Sequence, residues 1–358
     1  MDDLHTFHEE HGARFDSLAG REVVTRYRRP ERTHRAVRNG VGVTEQPFGV
    51  IVVEGADQIE YIDNVVTNNV PRTDGQGAYA LLLDPQGRIT TEMFIFNAGE
   101  RLLLFTPPGR ATPTVDGWET FIQDVTISVA SDEFAVFSLH GPTATEKVAS
   151  VLAGAAAPEQ PLAFVRGSIA DTGVSVVRDD NLVGEEGYFV ISQADGAVGV
   201  IDDLVNHGPA AVPFGRETWD ALTLEAGTPI FPAELDGRIP NAVGLRGAMD
   251  FEKGCYVGQE VVSRIENRGQ PPNRLVGLRI DATPEAGAAV MAGDDAIGEV
   301  TRGAESPILD TAIAFAFVDF AFEGAVTVRI DGEDVTAELT SLPFVETEFA
   351  SRRLPRYG

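Results

Sequence analysis

The hydrophobic pattern of the chain changes near residue 274, and this change constrains the fold more than any other feature. Before it, strand-like runs alternate with helix-like segments such as 196–207 and 217–226. After it, no helical period is evident, and the apolar residues form only short strand-like runs at Leu275 to Ile280, Ala296 to Arg302, Ile313 to Val318 and Val326 to Ile330. Mixed segments followed by strands alone are typical of an α+β region joined to a separate small β-domain. We therefore predict an α+β fold with a mixed region at 1–270, a β-domain at 271–346 and a C-terminal tail at 347–358.

One β-hairpin is predicted from turn chemistry. Strand-like runs at Tyr79 to Leu83 and Met93 to Phe96 flank Asp84-Pro85-Gln86-Gly87. A proline followed two residues later by glycine favours a tight turn. The sequence contains no Walker-type phosphate loop, no Gly-x-Gly-x-x-Gly between a strand and a helix, and no Gly-x-Ser-x-Gly elbow. Nucleotide-loop and serine-hydrolase chemistry are therefore not expected.

The charge balance is strongly acidic. The 358 residues include 55 Asp plus Glu against 28 Lys plus Arg, and the only lysines are Lys147 and Lys253. Nucleic acids and anionic membranes attract basic surfaces, so we expect neither as a partner. The first residues are acidic and lack an apolar core, unlike a secretory signal, and a cytoplasmic location is expected.

The N-terminus contains three histidines at three-residue spacing, His5, His8 and His11. This spacing places them near one face of a helix. We interpret them as a solvated polar face rather than a metal site, because the zinc-protease pattern requires His-x-x-x-His.

The single cysteine, Cys255, excludes an intrachain disulfide and a cysteine-rich metal site. Gly254 and Gly258 flank it and indicate tight turns with exposed backbone. A lysine near a thiol favours the reactive thiolate, so Cys255 and Lys253 are candidate catalytic residues. A buried, unreactive cysteine in a turn is the alternative interpretation.

The stretch around the cysteine, which we call the cysteine motif, runs Lys253-Gly254-Cys255-Tyr256-Val257-Gly258-Gln259-Glu260. It resembles the signature of the YgfZ-type folate-binding proteins, which are relatives of the glycine-cleavage T-protein. Weaker similarity extends over roughly residues 40 to 340. The resemblance implies three domains around a central folate cavity, a C-terminal antiparallel β-barrel and tetrahydrofolate, or a derivative, as the cofactor.

The resemblance also implies roles for individual residues. Glu185, in Gly184-Glu185-Glu186-Gly187-Tyr188, would accept two N–H groups of the pterin in a fork. The other residues expected at the folate are Tyr79, Glu92, Asn68 and Tyr188. Within the cysteine motif, the residues expected to shape the site around Cys255 and Lys253 are Gly254, Tyr256, Gly258, Gln259 and Glu260.

The sequence departs from the T-protein pattern at two places. The paired aspartates of the T-protein hairpin are replaced by Thr91-Glu92. The reach of Glu92 differs by one methylene, and a misplacement of about 1 Å can lower a rate ~10²-fold. Two arginine positions of the family fall at Thr223 and near Trp219, which weakens the expected contact with the folate tail. Arg216 and Arg246 are the candidates for replacing them.

The sequence leaves three functions open. The departures favour a folate-binding accessory protein for iron–sulfur cluster assembly or repair through Cys255, with a partner protein, a small thiol or a second copy of the chain supplying further cluster ligands. The alternative is a folate-dependent one-carbon transferase, either an aminomethyltransferase or a demethylase, in which Glu92 holds the reacting nitrogen. The third is a binding module that no longer takes folate.

The scattered acidic residues lead to a prediction about salt. They favour adaptation to molar internal salt over an acidic docking surface, because screening at about 1 M salt shortens the reach of charge repulsion to ~3 Å. We expect the melting temperature to be higher in concentrated than in dilute potassium chloride. Equal or greater stability in dilute buffer, measured by thermal unfolding, would contradict the halophilic interpretation.

Overall fold

The computed structural model describes residues 2–118 and 124–357. In this part of the chain the α-helices are α1 Asp2–Glu10, α2 Pro30–Asn39, α3 Gln58–Val65, α4 Ala111–Gly117, α5 Ala144–Val151, α6 Ala197–Asn206, α7 Arg216–Glu225, α8 Pro240–Val243 and α9 Gln259–Arg268. Short 3-10 turns lie at Ala194–Gly196 and Arg246–Ala248. No helix among the described residues has the length and apolarity needed to cross a membrane.

The strands of the mixed region form a hairpin and two sheets. Their bounds are β1 Arg14–Leu18, β2 Arg21–Arg26, β3 Gly42–Glu45, β4 Gly49–Glu54, β5 Gln76–Leu83, β6 Ile89–Asn97, β7 Arg101–Thr106, β8 Thr126–Val129, β9 Phe134–His140, β10 Phe164–Ile169, β11 Thr172–Arg178, β12 Gly187–Gln193 and β13 Val212–Pro213. Strands β1 and β2 form the N-terminal hairpin. The first sheet has the order β5-β6-β7-β4-β8, and the second has the order β10-β11-β12-β9-β3-β13.

Aromatic packing joins the two sheets. Phe94 and Phe105 of the first sheet and Phe189 of the second surround Phe48, with ring centroids 5.8–6.0 Å from it. Phe94 also contacts Phe189 directly at 5.2 Å. Buried aromatic pairs of this kind contribute about 0.5–1.5 kcal/mol each beyond their buried area. The inner faces of both sheets therefore belong to one core.

The C-terminal strands close into a barrel. Their bounds are β14 Asn273–Ile280, β15 Ala289–Ala292, β16 Asp295–Ser306, β17 Thr311–Asp319, β18 Val326–Ile330 and β19 Glu333–Thr340, and their order is β14-β17-β16-β15-β18-β19. All pairings are antiparallel. The expected mixed fold with a C-terminal antiparallel barrel is confirmed.

Buried charge attaches the barrel to the mixed region. Arg302 of β16 donates to the hydroxyl of Thr223 on α7 at 2.7 Å and to the Glu234 carboxylate at 3.2 Å. Arg302 and Glu234 are both buried. Thr223 stands where the family has an arginine, and the guanidinium beside it comes from Arg302 in another part of the chain.

The cysteine motif packs against the predicted hairpin, which the structure shows as β5 and β6. Gly258 has φ +81°, and a Cβ there would lie 2.6 Å from the Asp84 carbonyl oxygen and 3.0 Å from Gly87 Cα. A side chain at Gly258 would therefore collide with backbone in a strained conformation. Gly254 has open space around it and no positive φ.

The two motif glycines provide a matched pair of variants. We expect Gly258→Ala to lower the free energy of unfolding by about 1–3 kcal/mol, because the hairpin turn must move. Gly254→Ala should change it by less than about 0.5 kcal/mol, as at an unconstrained surface site. Denaturant unfolding of both variants measures this, and equal effects would show that the close approach has no energetic consequence.

Candidate functional site

A central cavity lies between the N-terminal hairpin, the two sheets, α7 and the C-terminal segment. Its apolar lining includes Phe48, Phe94, Phe189, Trp219, Ile230 and Phe231, and its polar lining includes Glu22, Glu45, Gln46, Glu92, Arg216 and Arg353. Apolar, aromatic walls with a few oriented polar groups are typical of small-molecule sites.

Glu92 is the best-fixed carboxylate of this cavity. Its Oε2 accepts hydrogen bonds from the Tyr79 hydroxyl at 2.6 Å and from Arg353 Nη1 at 2.7 Å. Its Oε1 accepts one from the Phe231 backbone N–H at 3.3 Å. The side chain is 13% exposed. Because a carboxylate accepts about four hydrogen bonds, Oε1 retains capacity for a donor in the cavity.

Tyr79 belongs to the same cluster through strand pairing. It lies opposite Phe94 in the β5–β6 ladder, diagonal to Glu92 on the same face. Burial raises the pKa of Tyr79 well above its usual value, so its hydroxyl stays a donor to Glu92. Asn68 lies behind this pair, where its amide donates to the Tyr79 carbonyl at 2.9 Å.

Arg353 comes from the C-terminal segment, which the sequence indicates only as a tail. Its guanidinium stacks 3.9 Å from the Tyr79 ring centroid and donates from Nε to Asp180 at 3.0 Å. The side chain is 4% exposed. Burial raises the pKa of Asp180, and Arg353 opposes this rise. The C-terminal segment thus contributes Arg353 to the cavity wall.

The described residues that line the cavity do not include Glu185 and Tyr188. Glu185 lies 4.0 Å from Arg38, and burial raises its pKa despite this arginine. Tyr188 is buried in the core of the second sheet, where its hydroxyl contacts Thr145 Oγ1 at 2.7 Å. Their predicted roles at the pterin therefore stay predictions.

Among the described residues, the Lys253 ammonium makes no hydrogen bond to Cys255. Its ammonium donates to the backbone carbonyls of Asp63, Val66 and Asn68 at 2.7–3.0 Å, and its side chain is 1% exposed. Burial lowers the pKa of Lys253, and Asp63 opposes this. These carbonyls lie at the end of α3 and just beyond it, where helix partners are missing. In this position Lys253 anchors the motif to α3.

The rest of the cysteine motif lies outside the cavity lining. Cys255 is exposed, and Tyr256 is buried without a hydrogen-bond partner for its hydroxyl among the described residues. Gln259 donates to the Lys253 carbonyl at 3.3 Å, and Glu260 lies exposed in the first turn of α9. The structure therefore separates Cys255 from the cavity that contains Glu92.

The interpretation of the N-terminal histidines as a solvated face is wrong for His8. His8 is buried, 2.8 Å from the Tyr27 hydroxyl and 3.2 Å from Glu45 of the cavity lining. His5 contacts Glu22, a second carboxylate of the lining. The rings of Phe15 and Tyr27, which lie outside α1, contact His8, and helical spacing alone does not indicate such partners.

The arginine candidates fall at different places. Arg216 lines the cavity and is 3.8 Å from Asp220, whereas Arg246 contacts Glu266 outside the cavity lining. Trp219, at the other altered position, lines the cavity. Arg216 is therefore the better placed cation for an anionic tail of a ligand.

Residues 4–253 match the GCVT N-terminal domain, and residues 273–346 match the glycine cleavage T-protein C-terminal barrel domain. The aminomethyltransferase of Rubrobacter xylanophilus is 30% identical, over 94% of this chain and 92% of its own. The aminomethyltransferase of Streptomyces coelicolor is 28% identical, over 96% and 97%, and the probable aminomethyltransferase of Halobacterium salinarum is 29% identical, over 96% and 98%.

The solved structure of the glycine cleavage system aminomethyltransferase T from Bartonella henselae has the same fold. It matches 97% of this chain and 98% of its own with a TM-score of 0.87, at 23% identity. This fold is consistent with the tetrahydrofolate cofactor that the resemblance implies. Because the two domain matches together span most of the sequence, the chain belongs to the glycine-cleavage T-protein family.

Proposed function

We propose that this protein is a folate-dependent one-carbon transferase of the aminomethyltransferase type, with its reaction site in the central cavity. The observation that carries the proposal is the placement of Glu92, a nearly buried carboxylate fixed by three donors with capacity for a fourth. The similarity to proteins named aminomethyltransferase supports the same assignment.

The lining fits tetrahydrofolate in its chemistry. The pyrimidinone half of the reduced pterin is planar, which suits walls that contain Phe94, Phe189 and Trp219. Glu92 would accept an N–H of the folate and orient the nitrogen that receives the one-carbon unit. Arg216 would attract the carboxylates of the folate tail. Bound tetrahydrofolate supplies the nucleophilic nitrogen, and the chain supplies orientation and exclusion of water.

Removal of the Glu92 charge tests this proposal. We expect Glu92→Gln to lower kcat for methylene transfer from an aminomethyl-carrier protein to tetrahydrofolate by about 100-fold or more. The physical reason is that an amide is a much weaker acceptor for a reacting N–H. The assay follows methylenetetrahydrofolate formation, and full activity of this variant would remove Glu92 from the mechanism.

Glu185→Ala serves as the comparison, with its affinity for tetrahydrofolate measured by equilibrium titration. Glu185 is our second proposed folate residue, on resemblance alone, and it lies outside the cavity lining. If it is the pterin acceptor, tetrahydrofolate affinity falls in Glu185→Ala. If Glu92 alone holds the ligand, affinity stays near wild type in Glu185→Ala.

We also propose the YgfZ-type accessory function, support of iron–sulfur proteins, as a second candidate. The specific observation in its favour is an exposed Cys255 on a loop that Lys253 anchors firmly. An exposed thiol is accessible to a partner protein, which would supply the remaining ligands of a cluster.

Cys255→Ser separates the two candidates. Because Cys255 lies outside the cavity lining, we expect methylene transfer to stay within roughly twofold of wild type. If the accessory function holds, cluster-containing enzymes lose activity in a strain whose only copy carries Cys255→Ser. Undiminished activity of those enzymes would refute the accessory function and leave the transferase proposal unaffected.

A further inference from the structure

A second cavity lies between α3, the β5–β6 hairpin, α4 and the cysteine motif, and its volume is about 460 Å³. No described residue belongs to both its lining and that of the central cavity. The apolar part of the lining includes Tyr61, Val65, Leu82, Pro113, Trp118 and Val257. The volume and the apolar walls fall within the range of small-molecule sites, which measure roughly 300–1,000 Å³.

Arg110 gives the second cavity a single charge. It lines the cavity just before α4, and no described residue of the lining is acidic. None of the arginine ion pairs in the described chain includes Arg110. This is unexpected in a chain with 55 Asp plus Glu against 28 Lys plus Arg. A cation at an apolar wall without a carboxylate partner attracts an anion from solution.

The Arg110 guanidinium is held in place with one donor free. Nη2 donates to the Thr90 carbonyl, and the Phe231 ring centroid lies 5.3 Å from Cζ. Nη1 makes no hydrogen bond within the described chain and is not among its buried atoms, so it remains accessible. A fixed guanidinium with an accessible N–H suits a carboxylate, because a charge-assisted hydrogen bond forms without further ordering of the side chain.

Apolar surface remains uncovered at the same place. Val257 is 45% exposed, and its position in the cysteine motif puts it at the cavity. The Tyr61 and Trp118 rings meet edge to face, with centroids 6.1 Å apart, in another part of the lining. A hydrocarbon or aromatic body in the cavity would remove this surface from water, which is favourable in proportion to the apolar area covered.

We propose that the second cavity is a binding site for an apolar monocarboxylate. The carboxylate of the ligand accepts a hydrogen bond from Arg110, and its apolar body lies against Leu82, Trp118 and Val257. A ligand with several negative charges does not fit, because one arginine serves it in a chain of net charge −27. This site goes beyond the proposed folate function and does not depend on it.

Titration with 4-phenylbutyrate and its neutral analogue 4-phenylbutanamide tests the proposal. The chain contains two tryptophans, and Trp118 lines the second cavity whereas Trp219 lines the central one. In a Trp219→Phe chain the fluorescence therefore reports Trp118 alone. We expect phenylbutyrate to change it with a Kd of about 1 mM or lower, as for a ligand of this size. The amide should bind about fivefold or more weakly, because it lacks the charge.

Arg110→Met and Arg216→Met form the matched pair, made in the same Trp219→Phe chain. Each removes one positive charge, the first from the second cavity and the second from the central cavity. Arg110→Met should weaken phenylbutyrate binding about tenfold or more, and Arg216→Met should leave it within roughly twofold. Loss of binding in Arg216→Met alone would place the ligand in the central cavity and overturn the inference, as would absence of binding to the unsubstituted cavity.

Val257→Glu and Val257→Gln cover the case in which Arg110→Met does not fold. Val257 is exposed, so neither side chain has to be buried, and the two differ only in charge. A carboxylate at the rim repels the anionic ligand, so phenylbutyrate affinity should be about fivefold or more lower in Val257→Glu than in Val257→Gln. Equal phenylbutyrate affinities in the two variants would overturn the inference.

Discussion

The buried ion pairs of Arg353 with Glu92 and Asp180 are the interaction on which the central cavity depends. They join the β5–β6 hairpin, the loop after β11 and the C-terminal segment, and Glu92 lies 261 positions from Arg353 in sequence. Removing one member of a buried ion pair typically costs about 3–5 kcal/mol, because its partner is left charged and unpaired. Such a cluster holds the cavity wall in one arrangement even though no regular element connects its parts.

Lysine is almost absent from the sequence, and each of the two that remain has a structural reason. Lys253 donates to three carbonyls at the end of α3, and Lys147 donates to the carbonyls of His207 and Pro209. A compact ammonium with three donors suits convergent carbonyls better than a planar guanidinium does. The retention of Lys253 beside Cys255 is thus explained by anchoring, and it no longer argues for an activated thiol.

The parts of the structure that local chemistry determines were predictable. The β5–β6 hairpin follows from Pro85 and Gly87 in its turn, and the C-terminal β-domain follows from apolar runs that lack a helical period, whereas its closure into a barrel was implied by the resemblance. Of the candidate site, the resemblance indicated Glu92, which lines the cavity, and Tyr79, which donates to it, and their roles stay predictions. Arg353 and the burial of His8 depend on contacts between distant segments, and periodicity and turn signals contain no information about such pairs. The same limit applies to Arg302, which reaches Thr223 from the barrel.

The replacement of an aspartate by Glu92 was the strongest sequence argument against transfer chemistry. The hydrogen bonds of Glu92 in the structure weaken that argument. A longer side chain lowers a rate when it displaces the carboxylate or leaves it free to take several positions. Here Tyr79, Arg353 and the Phe231 N–H hold both oxygens. The additional methylene therefore moves the carboxylate without loosening it. A fixed acceptor in an aromatic cavity is what the proposed one-carbon transfer would need for orientation, while the exposed Cys255 lies outside the cavity lining. The two proposed activities thus do not compete for the same residues.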